Sequence, residues 1–172
     1  MTLEICTYPH PVLSQTAQTI EEITPELVQL ARDMADCMYM NDGVGLAAPQ
    51  VGESIRMIVV DITGPEKREE LITLINPTIV SCEGEVESEE GCLSLPLFRG
   101  MIDRSEKVHV RGLDLDGNEI AIDAEGLLAI CLQHEIDHLE GTLLLNRVGR
   151  LKKSLYDKKV KKREKRRQAE GE

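Results

Sequence analysis

The sequence predicts an α+β fold in which mostly antiparallel β-sheet accompanies a buried central helix and a basic helix ends the chain. Three observations carry this expectation. Several short β-like runs are joined by loops too short for repeated parallel crossovers, which need about a dozen residues each. One stretch, 124–139, has helical spacing with Leu127, Leu128, Ile130, Cys131 and Leu132 around much of its circumference, as in a helix enclosed by the rest of a molecule. The segment after residue 150 is dominated by Lys and Arg.

The elements follow in order. Thr24 suits an N-cap and Pro25 the first helical position, and Leu27, Leu30, Met34, Cys37 and Met38 then recur at helical spacing until Asn41, Asp42 and Gly43 end the helix. Strands are expected over 56–62, 71–75, 78–86 and 107–115, and Asp116, Gly117 and Asn118 turn the last of these back into 119–123. Gly141 is the expected stop of the central helix. In the tail, Leu151, Leu155 and Tyr156 are expected to pack the first turns, with the distal half ordering only on binding.

At 172 residues and 41% hydrophobic, the chain has material for one core, with a domain over 1–150 and a basic tail over 151–172. With only three Tyr, one Phe and no Trp, the core falls to aliphatic side chains, and stacking platforms for bases are not expected. The longest apolar run, 127–132, is far short of the ~20 residues of a membrane span. The first residues lack the basic-then-apolar pattern of a secretory signal, so a cytoplasmic location without membrane attachment is expected. Five cysteines, an odd number, argue against a disulfide framework. The net charge of -11 is uneven: from Arg147 onward, 12 basic residues face four acidic ones, leaving eight basic and 27 acidic in the first 146. Nucleic-acid binding is therefore excluded for the body and open for the tail.

The strongest chemical signal is His134-Glu135-Ile136-Asp137-His138, an H-E-x-x-H inside the buried helix. Two imidazoles at i and i+4 share one face and can reach one metal ion, with Glu135 beside them as general base. Two histidines satisfied by core hydrogen bonds are the plainer alternative, but burying so many ionisable groups without a metal or a reaction is costly. A third ligand is needed. No downstream residue suits: Leu144 stands where a metzincin would have His, and the later glutamates lie in the tail. Upstream, His10 and His109 suit structural or surface roles, which leaves Cys92 on a loop punctuated by Gly91 and Pro96. A cysteine taken alone is more often buried filler. In the segment 43–50, Gly43 and Gly45 suit close approach of backbone to a ligand and Gln50 offers an oxyanion donor, although a simple helix-to-strand turn would read the same.

Together, GVGLAAPQ, EGCLSLP and QHEIDHLEG occur in the order in which peptide deformylases carry G-x-G-L-A-A-x-Q, E-G-C-L-S and Q-H-E-x-D-H-L. The chain resembles a bacterial peptide deformylase over residues 1 to about 150, beginning at YPHPVL. The lack of an insertion between the first two motifs is similar to the type 1 branch, while His10 stands where the family often has an acidic residue. The resemblance implies antiparallel sheets around the helix that carries H-E-x-x-H, with Cys92, His134 and His138 as metal ligands and water in the fourth place. It implies Glu135 as general base and acid, Gln50 and the Leu93 N–H as oxyanion donors, and formate release from the formyl-Met end of nascent polypeptides. By motif position, Val44, Leu127, Ile130 and Cys131 would line a methionine pocket, and Gly45 would pair with the peptide backbone; those side chains equally suit ordinary core. One divalent metal is implied: Cys with two His suits Zn2+ on ligand preference, while the resemblance implies Fe2+. The basic tail is expected to meet the ribosome. A zinc endopeptidase and a non-catalytic, ribosome-associated metal-binding protein are the alternatives.

Overall fold

In the computed structural model, which describes residues 2–171, a five-stranded antiparallel sheet lies between two helices, with a two-stranded hairpin beside it. The first helix, α1 (Pro25–Met40), starts where the sequence places it. Thr24 Oγ1 accepts from the Leu27 N–H at 3.2 Å, and Pro25, which lacks an N–H, occupies a position where none is needed. Its buried face carries Leu27, Ala31, Met34 and Met38, at the spacing that keeps one helix side against a sheet.

The sheet runs β1 (Gly45–Ala47), β2 (Met57–Val60), β3 (Ile72–Glu83), β6 (Lys107–Leu113) and β7 (Glu119–Glu125), in that spatial order. All four residues of β2 are buried, and the period of two divides them. Met57 and Val59 join the α1 cluster, while Ile58 and Val60 join the cluster around α3 (Gly126–Leu139). The central helix is thus held by the opposite sheet face, through Ala129, Leu132, Ile136 and Leu139. Its end is fixed at Gly141, whose φ is +72° and whose missing Cβ would stand 2.7 Å from the Ser14 carbonyl oxygen. Any side chain there would meet backbone.

Within the body of the chain, three expectations change. The runs over 71–75 and 78–86 are one strand, β3, interrupted by a register shift between Ile75 and Thr78. Pro77 cannot donate to a ladder, and Asn76 adopts φ +51° while its side chain bonds both the N–H and the C=O of Ile20, at 2.9 and 2.8 Å, so the break is a bulge rather than a turn. The segment around Cys92 is not a loop. It belongs to a hairpin of β4 (Val86–Cys92) and β5 (Leu95–Arg104), whose strands carry too many charges to show apolar alternation plainly. Finally, Leu127 is 53% exposed at the start of α3, so that helix is not enclosed over its first turn.

A single-turn helix, α2 (Gly64–Lys67), follows β2, and the chain ends in α4 (Arg150–Ala169). Tyr156 and Val160 bury α4 against Leu95, Phe98, Ile102, Leu144 and Leu145. The Tyr156 hydroxyl donates to the Pro96 carbonyl at 3.0 Å and its ring meets Phe98 edge-on at 5.2 Å. Leu151 and Leu155, expected to pack, are exposed instead, because the docking face follows the row from Tyr156 to Val160. The helix is continuous through Ala169.

Candidate active site

The donor atoms of Cys92, His134 and His138 all lie within 4.8 Å of one another. Cys92 ends β4, and the two histidines lie one turn apart on α3. Cys92 Sγ is 3.4 Å from His138 Nε2, close to the spacing of roughly 3.6 Å that tetrahedral coordination at about 2.1 to 2.3 Å from one ion requires. Nδ1 of His134 lies 3.0 Å from Glu90 Oε1, which, as a carboxylate, accepts the Nδ1 proton and leaves Nε2 for the site. His138 is buried, and that burial holds its pKa well below 6.5, so the imidazole is neutral as a ligand must be. A set of one thiol and two imidazoles therefore fits a single divalent ion.

Glu135 lies beside this set, 5% exposed, with Oε1 4.0 Å from His134 Nε2 and Oε2 without a hydrogen-bond partner among the described residues. Burial pushes its carboxyl up to about 7, although the charges of His134 and Arg104 pull the other way. Gly45 makes room for it. A Cβ at Gly45 would stand 2.7 Å from Glu135 Oε1 and 3.0 Å from Cγ and Cδ.

Gln50, 2% exposed, sits in a one-turn helix after β1. Its Oε1 accepts from the Ala47 N–H at 3.0 Å, and its Nε2 lies 3.6 Å from Cys92 Sγ and 3.2 Å from Ser94 Oγ. Gln50, Cys92, His134 and Glu135 form one wall of an open cleft of about 510 Å³, lined also by Val44, Gly45, Leu93, Leu127, Ile130 and Cys131. Burial, with the charges of Glu135 and Glu90, pushes the Cys131 thiol up to about 12, so it presents a neutral apolar surface. A groove of about 610 Å³ beside Ser81, His109 and Asp123 is roomier, but it lies on an open sheet face and contains none of the residues of the three motifs. Size alone does not choose between them; the convergence of donors, a buried carboxylate and an amide does.

The polypeptide deformylase family model matches residues 2–154. The chain belongs to the peptide deformylase family. A peptide deformylase of Thermodesulfovibrio yellowstonii is 54% identical over 159 residues, covering 92% of this chain and 96% of that one. The crystal structure of a peptide deformylase from Legionella pneumophila superposes with a TM-score of 0.90 at 44% identity, covering 98% of both chains. A peptide deformylase of Synechococcus elongatus, solved in complex with actinonin, matches with a TM-score of 0.86 at 41% identity over 92% of this chain and 88% of that one. The chain is accordingly a hydrolase of N-terminal deformylation.

Around the candidate site lies a charged shell that the motifs do not reveal. Arg104, 4% exposed, donates from Nε and Nη2 to both oxygens of Glu90 at 2.9 and 2.7 Å, and from Nη1 to Asp137 at 2.7 Å. Burial alone would raise the Glu90 pKa, but hydrogen bonds from Arg104 and His134 outweigh it and hold the carboxyl at about 2. Arg147 makes a second fork onto Asp137. Asp137 lies within H-E-x-x-H and Glu90 directly precedes Gly91-Cys92, whereas Arg104 carries no local signal, since its partners are 14 and 33 residues away. The other two histidines have partners outside the cleft. His10 Nδ1 accepts from the Val12 N–H at 3.1 Å, and His109 pairs with Asp123 at 2.6 Å.

Proposed function

We propose that this deformylase hydrolyses the formyl amide at the N-formyl-methionyl end of nascent polypeptides, releasing formate and a free amine. The observation that carries the reading is the convergence of a Cys-His-His donor set, a buried carboxylate and a fixed amide beside the open edge of β1. Cys92, His134 and His138 would hold one divalent ion, Fe2+ on the family resemblance and Zn2+ by ligand preference. When bound, such an ion acidifies a water and polarises the formyl carbonyl.

The chain's own residues supply the rest. Glu135 accepts the proton of the attacking water and hands it to the departing amine, a role that its place beside the donor set supports. Its unpartnered Oε2 is the seat for that proton. Gln50 Nε2 and the Leu93 N–H stabilise the oxyanion. Among the described residues β1 pairs only with β2, so the backbone of Gly45 has a free side on which an extended peptide adds as a further strand. Val44, Leu127, Ile130 and Cys131 then receive the methionine side chain.

Residues 1–150 form the catalytic unit in this reading, and 151–172 a basic appendage that meets the ribosome. Beyond Val160 nearly every residue of α4 is Lys, Arg or Glu, next to a body carrying a large negative excess. The deciding assay compares formyl-Met, formyl-Asp and unformylated peptides. Formyl-Met peptides should be turned over with much the highest kcat/KM. Equal rates on formyl-Asp would dismiss the pocket, and internal cleavage of unformylated chains would establish an endopeptidase.

A further inference from the structure

We propose that the hydroxyl of Ser94 is a positioning residue for the oxyanion donor, holding one N–H of Gln50 so that the other is presented to the reacting carbonyl. The inference rests on the reading of Gln50 as that donor. A glutamine amide has three free torsions and can turn end for end, so a side chain meant to stabilise developing charge must be fixed before the charge appears. Here both ends are held. The Ala47 backbone N–H can only donate, so the amide atom 3.0 Å away must be Oε1, and Nε2 is thereby turned toward Cys92.

That leaves two N–H protons on one nitrogen. Ser94 Oγ, 3.2 Å from Nε2, takes one of them. The second N–H is then left for Cys92 Sγ, to which Nε2 donates at a long 3.6 Å, a weak sulfur bond that a developing oxyanion beside Cys92 would replace. Ser94 is wholly buried, so no water competes for the bond, and it occupies the turn between β4 and β5 two residues after Cys92. A single hairpin turn therefore fixes both a metal donor and the orientation of the amide beside it. The backbone of Ser94 serves a separate contact, in which its carbonyl accepts from the Tyr8 N–H at 2.9 Å. Replacing the side chain leaves that bond in place.

The test is a double-mutant cycle on metal-replete enzyme with a short formyl-Met peptide. Gln50→Ala alone should lower kcat by roughly 10² to 10³, the usual cost of an oxyanion donor. Ser94→Ala should lower kcat about 3- to 10-fold with KM and metal content unchanged, the size of effect expected from one neutral hydrogen bond. In the Gln50→Ala background the Ser94→Ala penalty should disappear. An equal penalty in both backgrounds, no penalty in either, or a loss that follows metal content would overturn the proposal. Full activity of Gln50→Ala would overturn the oxyanion reading itself, and the positioning role with it.

Ser94→Thr separates position from packing: it keeps the hydroxyl while crowding a full site, so Tm should fall with kcat retained. Should neither variant fold, NMR of the wild-type Gln50 side-chain amide decides. One of its two protons should resist exchange with solvent, and rapid exchange of both would sink the idea.

Discussion

Glu135 is a mostly buried carboxyl on the wall of an open cleft, and three replacements should separate the roles in the site. Glu135→Gln keeps the size and removes the base, so bound metal should persist while turnover drops by roughly 10² to 10⁴; near-normal turnover at full occupancy would remove Glu135 from the chemistry. Cys92→Ala should act on occupancy itself, seen as weaker metal retention in a competition titration with a chelator, and unchanged affinity would show that Cys92 is no ligand. Gly45→Ala should lower kcat although it leaves every ionisable group intact, since its methyl would overlap the resting position of Glu135 Oε1. The sequence singles out that residue only for its backbone, and the displacement of a carboxylate 90 positions away is not visible there.

At the level of elements, α1 and the segment after β2 are held by a buried acid pair that has no part in the chemistry. Asp61 is inaccessible to solvent, accepts from the Tyr39 hydroxyl at 2.6 Å, and caps Thr63 through both its N–H and its hydroxyl, while Arg68 lies over the Tyr39 ring at 4.6 Å. Burial alone would raise the Asp61 pKa, but the bonds from Thr63 and Tyr39 outweigh it and hold it below 3.8. This contribution to stability is present above about pH 3.8 and is lost as the pH falls below it. Tyr39 runs the other way. Burial first, then its bond to Asp61, push it from 10 up to about 12, so its contribution holds below pH 10 and is lost as the pH rises through 12. The stability difference between wild type and Tyr39→Phe, from urea unfolding at about pH 3, 7 and 11, should be largest at the middle value. A difference independent of pH would show that the pair contributes nothing through its ionisation.

Helices declare themselves in the sequence better than strands do. Thr24-Pro25 and Gly141 are local signals that no distant contact has to supply, and α1 and the end of α3 fall where they point. The hairpin of β4 and β5 is not legible there, because its outward face is charged and its inward residues, Leu95, Phe98, Ile102 and Arg104, are sorted by a β-bulge and by partners far along the chain. The three motifs single out the Cys-His-His set and Glu135, which the structure brings together, for a different reason: the chemistry they suggest demands particular residue types at fixed spacing. Ser94 and Arg104 meet Gln50, Glu90 and Asp137 across 14 to 44 residues of chain, contacts that a linear string does not display.

On the scale of the whole molecule, charge is divided between an acidic body and a basic helix. The nine residues from 161 to 169 extend α4 by roughly 13 Å beyond its last buried side chain, Val160, at about 1.5 Å per residue. Deleting residues after Val160 should therefore weaken co-sedimentation with ribosomes at low salt, with an attachment that falls steeply as salt rises, and spare activity on a short peptide. Equal co-sedimentation of both forms would show the helix to be merely solvated. The full-length helix already has its shape, so binding need not order it.

The donor set also joins two parts of the molecule that share no strand ladder. Cys92 comes from the two-stranded hairpin, and both histidines come from the helix seated on the five-stranded sheet. An ion held between them is a clasp as well as a reagent. Stripping it with a chelator should leave α1, β2 and β3 exchanging their amide protons as slowly as before, while β4 and β5 exchange faster, opening as a unit about the contacts of Arg104 with Asp137 and of Phe98 with Tyr156. Hydrogen exchange followed by mass spectrometry would see this directly, and uniform loosening of the whole chain would contradict it. The hairpin would then be the first part of the protein to report that its metal is gone, well before the fold itself is lost.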